Sequence, residues 1–268
     1  MCPPINIGIC TTETGIIPAD MMTRQAFDAE LKSLETKVLA MASIAEGMVA
    51  DAVEALMRGD LKRAEQVLLR DDEVDQIDVD IETHCLRLLA LQQPMASDLR
   101  VIGTIMKMIT DIERIGDYAV DVAKAARKIQ DEPKVTQMVD IPRLANAARR
   151  MLLDSIEAFV KRDLQLALHV CQQDDEVDAL YRQIRTQLQE TMRQHPEYVT
   201  AASWLLLTAH YLERIADHAT NIAERVWFME TGRLEQLAKK HKSGSLDEAY
   251  AEAAQHALEY QAHEQHSG

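Results

Sequence analysis

The chain has 268 residues, of which 47% are hydrophobic and only 4% aromatic, with few glycines and prolines. This composition is typical of an all-α protein whose long helices pack through aliphatic side chains. The formal net charge of −15 repels phosphate backbones, so we expect no direct binding to nucleic acid. No apolar run approaches the roughly 20 residues that a membrane-spanning helix needs.

The first 22 residues show no helical periodicity and no basic segment ahead of a long apolar one. We therefore predict a disordered leader rather than a signal peptide. Met21 and Met22 stand just before the first amphipathic pattern, so either is an alternative to Met1 as the start of translation.

Six helices are predicted between this leader and a polar tail at 232–268, in which we expect a further short helix. Gly59-Asp60 and Arg162-Asp163 offer helix N-caps at matching positions, and Pro94 and Pro196 interrupt the chain at matching places. The predicted spans are 23–58, 61–92, 96–130, 141–161, 163–194 and 198–231. Residues 23–130 and 141–231 then form two tandem, pseudo-symmetric three-helix bundles of the up-down kind.

A duplication explains this symmetry. The segment DIERIGDYAVDVA (111–123) is repeated as YLERIADHATNIA (211–223), and DDEVDQIDVDI (71–81) is repeated as DDEVDALYRQI (174–184). The repeated unit is about 100 residues long, which is the size of a domain rather than of a solenoid module.

Four cysteines lack CxxC spacing and do not occupy equivalent places in the two repeats. They are Cys2, Cys10, Cys85 and Cys171. We predict that they are reduced thiols of a cytoplasmic protein.

The third helix of each repeat carries carboxylates four residues apart, on a stripe turned away from its apolar seam. In the first repeat the stripe is Glu113, Asp117 and Asp121, and in the second it is Glu213, Asp217 and Asn221. The second helices add their own acids, which are Asp71, Asp75, Asp78 and Glu82 in one repeat and Asp174 and Asp178 in the other.

Two interpretations of these stripes stay open. A charged stripe on a helix is usually a solvated face, although like charges at this spacing cost a few tenths of a kcal/mol per pair. A solubilising face would also normally interleave lysines, and the two repeats keep their acids at equivalent places while diverging at most others. If the antiparallel second and third helices bring their stripes together, they form an acidic trough suited to hard cations.

Three segments resemble the PhoU family of phosphate-uptake regulators: IERIGD (112–117), LERIAD (212–217) and QQPMASDLR (92–100). The resemblance covers most of 23–231 and implies duplicated three-helix bundles whose E(D)xxxD motifs bind metal clusters. The divalent or ferric ion, whether Mg, Mn, Fe, Zn or Ca, is left open. The implied ligands are Asp71, Asp75, Glu113, Asp117, Asp121, Asp174, Asp178, Glu213 and Asp217. Asn221 in place of an acid, and Arg185 in place of Glu82, leave the second site less acidic.

The resemblance also implies a function. It makes the protein a negative regulator of the phosphate-starvation response and of high-affinity phosphate import. The implied partners are the sensor histidine kinase and the ATPase of the phosphate ABC transporter, which would recruit a cytoplasmic homodimer to the inner face of the membrane. Arg100 is a candidate partner contact, although its segment PMASDLR could simply begin a helix through Ser97 and Asp98.

Other classes of function are less well supported. A di-iron oxidase would need Glu-x-x-His pairs, and no histidine has a glutamate three residues before it. No Gly-rich phosphate loop or catalytic triad order indicates an enzyme. A metal-free structural interaction protein is the main alternative. His210 and His218 lie near the second stripe, and we expect both to be solvated.

Overall fold

A computed structural model describes residues 19–92, 94–130 and 135–244, and these ranges contain helices and no β-strand. Two short 3₁₀ turns accompany seven α-helices in this part of the chain. The helices are α1 (Ala19–Arg58), α2 (Leu61–Gln92), α3 (Ala96–Ile129), α4 (Ile141–Lys161), α5 (Leu164–Gln194), α6 (Val199–Thr231) and α7 (Leu237–Ser243). The predicted all-α fold with six long helices in two bundles is confirmed.

The helix boundaries lie close to the predicted ones. The largest difference is at the start of α1, which begins at Ala19 rather than at residue 23. Residues 1–18 of the predicted leader lie outside the described ranges, as do residues 245–268 of the tail. α7 lies in the part of the predicted tail that the structure describes.

The turns that close each helical hairpin use the same device in both repeats. Gly59 has φ +65° and Arg162 has φ +53°, so both residues adopt the left-handed conformation that reverses the chain. The next residue then caps the following helix, as predicted. Asp60 Oδ1 accepts a hydrogen bond from the backbone N–H of Arg63, and Asp163 Oδ1 accepts from those of Gln165 and Leu166.

α3 and α6 pack against each other in the centre of the molecule, and α1 and α2 complete one bundle while α4 and α5 complete the other. The two central helices run antiparallel, because residue numbers fall along α6 as they rise along α3. Arg100 Nε donates to the Met229 carbonyl at 3.1 Å, and Thr104 Oγ1 donates to the Arg225 carbonyl at 3.4 Å.

Helical periodicity explains why each helix buries one face. In α1 the buried positions recur at alternating spacings of four and three residues, which places them on one stripe. They include Leu34, Val38, Met41, Ala45 and Met48. No helix in the described part of the chain is long and apolar enough to span a membrane.

Candidate metal-binding surfaces

The acidic stripes of α2 and α3 face each other across the groove of the first bundle. The negative charge of Asp117 acts on Asp71, and those of Asp75 and Asp78 act on Glu113. A methyl group built on Gly116, one residue before Asp117, would lie 3.9 Å from Asp71 Oδ1. The predicted juxtaposition of the stripes is therefore present. We call these five carboxylates the first acidic cluster.

Partial burial makes this cluster costly to ionise. Loss of hydration is the main cause that raises the pKa of Asp71, Asp78 and Glu113, and repulsion from neighbouring carboxylates adds to it. Asp78 Oδ1 is buried, and no described residue donates a hydrogen bond to it. A buried carboxylate oxygen that lacks a donor is a position that a cation can satisfy.

The second bundle repeats the arrangement on α5 and α6. Asp174 and Asp178 face Glu213 and Asp217, and we call these four residues the second acidic cluster. Burial, followed by the charge of Asp217, raises the pKa of Glu213, and burial also raises the pKa of Asp217. Glu213 Oε2 is buried and forms no hydrogen bond with a described residue, although His210 Nδ1 lies 3.2 Å away.

Each cluster is paired with an arginine of its own third helix, which the acidic stripes did not predict. Arg114 Nη1 lies 2.7 Å from Asp117 Oδ2, and Arg214 Nη1 lies 2.8 Å from Asp217 Oδ2. The signal was present in the sequence, because residues three apart on a helix are neighbours. Among the described residues no lysine or arginine forms an ion pair with Asp71, Asp75 or Asp78, although the charge of Lys124 acts on Asp71 and opposes the rise of its pKa.

Asp121 lies at the contact between the two bundles. Its Oδ1 is 3.0 Å from Lys124 Nζ, and with Lys124, Trp204 and Tyr211 it lines a cavity of about 360 Å³. Burial and then the charge of Asp121 raise the pKa of Tyr211. Asp121 therefore belongs to the acidic stripe of α3 and also lines the contact between the two bundles.

Arg100 on α3 and His218 on α6 each contact the other central helix. Arg100 donates to a carbonyl in the last turn of α6, so part of its guanidinium is occupied, and a partner contact through the rest stays a prediction. The expectation that His218 is solvated is wrong. Its side chain is only 14% exposed because its Nδ1 lies 2.8 Å from Asp111 Oδ1 on α3. His210 is more exposed, as expected.

The second acidic cluster also receives a lysine from the tail. Lys242 Nζ on α7 lies 3.1 Å from Asp174 Oδ2 and 3.1 Å from Asp178 Oδ2. Burial alone would lower the pKa of Lys242, but these two hydrogen bonds outweigh it and leave the pKa raised. Nothing in the periodicity of α5 indicated this partner, which lies 64 residues after Asp178.

The donor set fits a hard cation, because both clusters consist of carboxylate oxygens and each contains a buried oxygen that forms no hydrogen bond with a described residue. Within the described ranges, however, no three acidic, histidine or cysteine side chains converge on one point as a ready metal site. Binding of a metal ion would therefore require the carboxylate side chains to rotate toward one point.

Both repeats of the chain are similar to known proteins. The PhoU domain profile matches residues 38–126 and 141–226. A phosphate-specific transport system accessory protein PhoU homolog from Clostridium acetobutylicum is 39% identical over 213 residues, which is 79% of this chain and 97% of that protein. The crystal structure of PhoU from Pseudomonas aeruginosa matches with a TM-score of 0.72 and 36% identity, over 77% of this chain and 100% of that chain.

A second solved structure agrees with the first. The phosphate transport system regulatory protein PhoU from Streptococcus pneumoniae matches with a TM-score of 0.72 and 31% identity, over 78% of this chain and 99% of that chain. The helix α7 lies after the second segment that the domain profile matches.

Proposed function

The chain belongs to the PhoU family, and from that premise we propose that it is a negative regulator of the phosphate-starvation response and of high-affinity phosphate import. The observation that carries the proposal is the likeness over both repeats, which includes nearly the whole length of relatives named as phosphate transport accessory and regulatory proteins. Those names are also consistent with the expectation that the chain is not an enzyme.

The adaptor role that we propose places the protein between a sensor histidine kinase and the ATPase of the phosphate ABC transporter. A net charge of −15 supports docking to basic protein surfaces. We further propose that two copies associate as a homodimer and that the partners hold the assembly at the inner face of the membrane.

Metal binding is the second part of the proposal. We assign it chiefly to the first acidic cluster, where Asp71, Asp75, Glu113 and Asp117 would hold the ions. A bound divalent or ferric ion would neutralise carboxylates that now repel one another. The chain's own contribution is to hold the four side chains on two packed helices, so that the acids of α2 and α3 act as one unit. Asp174, Asp178, Glu213, Asp217 and Asp121 are the further candidate ligands.

The main alternative is a metal-free structural interaction protein, and one observation favours it. Arg114, Arg214 and Lys242 already pair with carboxylates of the two clusters. If these internal cations suffice, the clusters need no metal, and their acids serve solubility and bundle packing.

Deletion of the gene tests the regulatory assignment. We expect phosphate-starvation transcripts to rise in phosphate-replete medium, and the parent gene to restore repression when supplied in trans. Unchanged transcript levels in the deletion strain would overturn the assignment. Capture of the tagged protein from membranes then checks the partners, with the histidine kinase and transporter ATPase expected among the bound proteins.

Complementation with two variants separates the metal-binding proposal from the alternative. Glu113→Gln with Asp117→Asn removes two charges from the first acidic cluster. Glu73→Gln with Asp80→Asn removes two charges from exposed positions of α2 and is the matched control. We expect only the control to restore repression. Full repression by both would favour the metal-free alternative.

A further inference from the structure

The tail helix α7 is packed onto the second bundle by apolar and polar contacts together. Leu237 at its start is completely buried, and the backbone N–H of Ala238 donates to Glu224 Oε1 at 3.4 Å. Towards the end of α7, His241 Nε2 lies 3.1 Å from Asp175 Oδ2. These contacts fix both ends of a helix of seven residues against α5 and α6.

The residue after His241, Lys242, places a cation inside the second acidic cluster. Lys242 Nζ is equidistant from Asp174 Oδ2 and Asp178 Oδ2, at 3.1 Å from each. The side chain of Asp174 is only 8% exposed beneath it. An ammonium group with three donors can bridge two carboxylates in this way, and its single positive charge replaces part of what a metal ion would supply.

We propose that Lys242 is a tethered cation that closes the second acidic cluster, so that metal ions reach Asp174 and Asp178 only when α7 is released. The inference rests on the proposed metal-binding function and deepens it, since it makes the two repeats unequal. Among the described residues no lysine bridges two carboxylates of the first acidic cluster, since Lys124 pairs with Asp121 at its edge. The second is controlled by the tail.

The tether gives Lys242 an advantage over free ions. A group attached to the same chain acts at an effective concentration of roughly millimolar or more. A divalent cation at lower concentration must therefore bind strongly enough to displace both the ammonium group and the packing of Leu237. Release of α7 by a partner would remove that competition and expose two carboxylates at once.

The first experiment tests the contact without metal. Hydrogen exchange of α7 amides is measured in chelator for the parent, for Lys242→Met and for Lys239→Met. Lys239 is exposed on the same helix and loses the same charge, so it is the matched control. We expect exchange to quicken by about tenfold or more in Lys242→Met alone, because two charge-assisted hydrogen bonds are lost. Equal protection in all three proteins would overturn the proposal.

The second experiment titrates the same proteins with Mn²⁺ in a calorimeter. Lys242→Met should show one additional class of Mn²⁺ sites that neither the parent nor Lys239→Met has. The added class should disappear when Asp174→Asn and Asp178→Asn are combined with Lys242→Met. No gain of Mn²⁺ binding in the folded Lys242→Met protein, or in Lys242→Gln as a second variant, would overturn the proposal.

The two failures are distinguishable. If the parent binds no Mn²⁺ while Lys242→Met does, metal binding by the first acidic cluster is refuted and the closure by Lys242 stands. If the parent binds Mn²⁺ and Lys242→Met gains nothing, the first acidic cluster is supported and the closure is refuted.

Discussion

His218 Nδ1 lies 2.8 Å from Asp111 Oδ1, and this pair joins the two bundles where α3 crosses α6. The duplication makes Tyr211 the counterpart of Asp111 and Tyr118 the counterpart of His218. These two tyrosines stack, with ring centroids 5.8 Å apart. The two repeats therefore use equivalent positions for different contacts between the bundles. One is the polar pair of His218 and Asp111, and the other is the stacked pair of Tyr118 and Tyr211.

The polar pair should contribute measurably to stability because both side chains are about 85% shielded from water. We predict a coupling energy of about 1–2 kcal/mol in a double-mutant cycle of His218→Ala and Asp111→Ala. Urea unfolding supplies the free energies. The exposed pair of His195 and Glu197 is the control, and its coupling should be about 0.5 kcal/mol or less. Equal couplings in the two cycles would show that burial does not strengthen the His218 contact.

A second ion pair should show an asymmetry between its partners. Arg24 donates two hydrogen bonds to Asp98, at 2.6 and 3.1 Å, and the Asp98 side chain is 8% exposed while that of Arg24 is 49% exposed. Arg24→Met leaves a buried carboxylate uncompensated and should cost about 3 kcal/mol. Asp98→Asn leaves an arginine that water can reach, and should cost about half as much. Chemical denaturation of both variants measures the difference, and the reverse order would contradict the account.

The helices could be predicted because their signals are local. Three kinds of signal each act within one or two helical turns: the apolar spacing, the caps Asp60 and Asp163, and the two prolines. The predicted helix boundaries therefore lie within a few residues of the observed ones. The facing of the α2 and α3 stripes followed from antiparallel packing. These features need no knowledge of distant contacts.

The missed contacts join residues that are far apart in sequence. Arg24 and Asp98 are separated by 74 positions, Asp111 and His218 by 107, and Asp174 and Lys242 by 68. Which side chains meet over such separations depends on crossing angles and axial offsets between helices. A single sequence does not specify these quantities, and the surface histidine and the tail lysine were therefore given no partner.

The buried thiols should be unreactive in the native protein. Burial raises the pKa of Cys85 to about 12 and also raises the pKa of Cys171, and both side chains are fully buried. In a Cys2→Ser, Cys10→Ser background we predict no labelling by a thiol reagent at pH 8 until denaturant is added, when two thiols react. Rapid labelling of either cysteine in native buffer would show that the bundle opens locally.

The raised pKa values of the first acidic cluster predict a pH dependence in metal-free buffer. The folded-state pKa of Asp71 lies above its ordinary 3.8 and that of Glu113 above its ordinary 4.5. Between those values and the raised ones the folded state binds more protons than the unfolded state. Stability therefore falls as pH rises through this window and is unaffected by these groups below the ordinary values.

Substitution of both acids should remove this dependence. We predict that Asp71→Asn with Glu113→Gln is more stable than the parent at pH 7 in chelator, and that the difference shrinks as the pH is lowered towards 4. Glu73→Gln with Asp80→Asn, at exposed positions, should follow the parent. Thermal unfolding at several pH values provides the comparison. Parallel curves for all three proteins would show that neither burial nor repulsion raises the pKa values of Asp71 and Glu113.

The central claim is that the carboxylates of α2 and α3 hold cations. Melting curves with and without metal ions test it most directly. In chelator, Asp75→Asn with Glu113→Gln should melt at or above the temperature of the parent. With Mn²⁺ at 100 times its dissociation constant, the parent should gain about 5 °C or more, because an ion that binds only the folded state stabilises it. The variant should gain little. If Mg²⁺, Mn²⁺, Ca²⁺, Zn²⁺ and Fe³⁺ all fail to raise the parent above the variant, the acidic clusters are solvated faces and the metal-binding account is wrong.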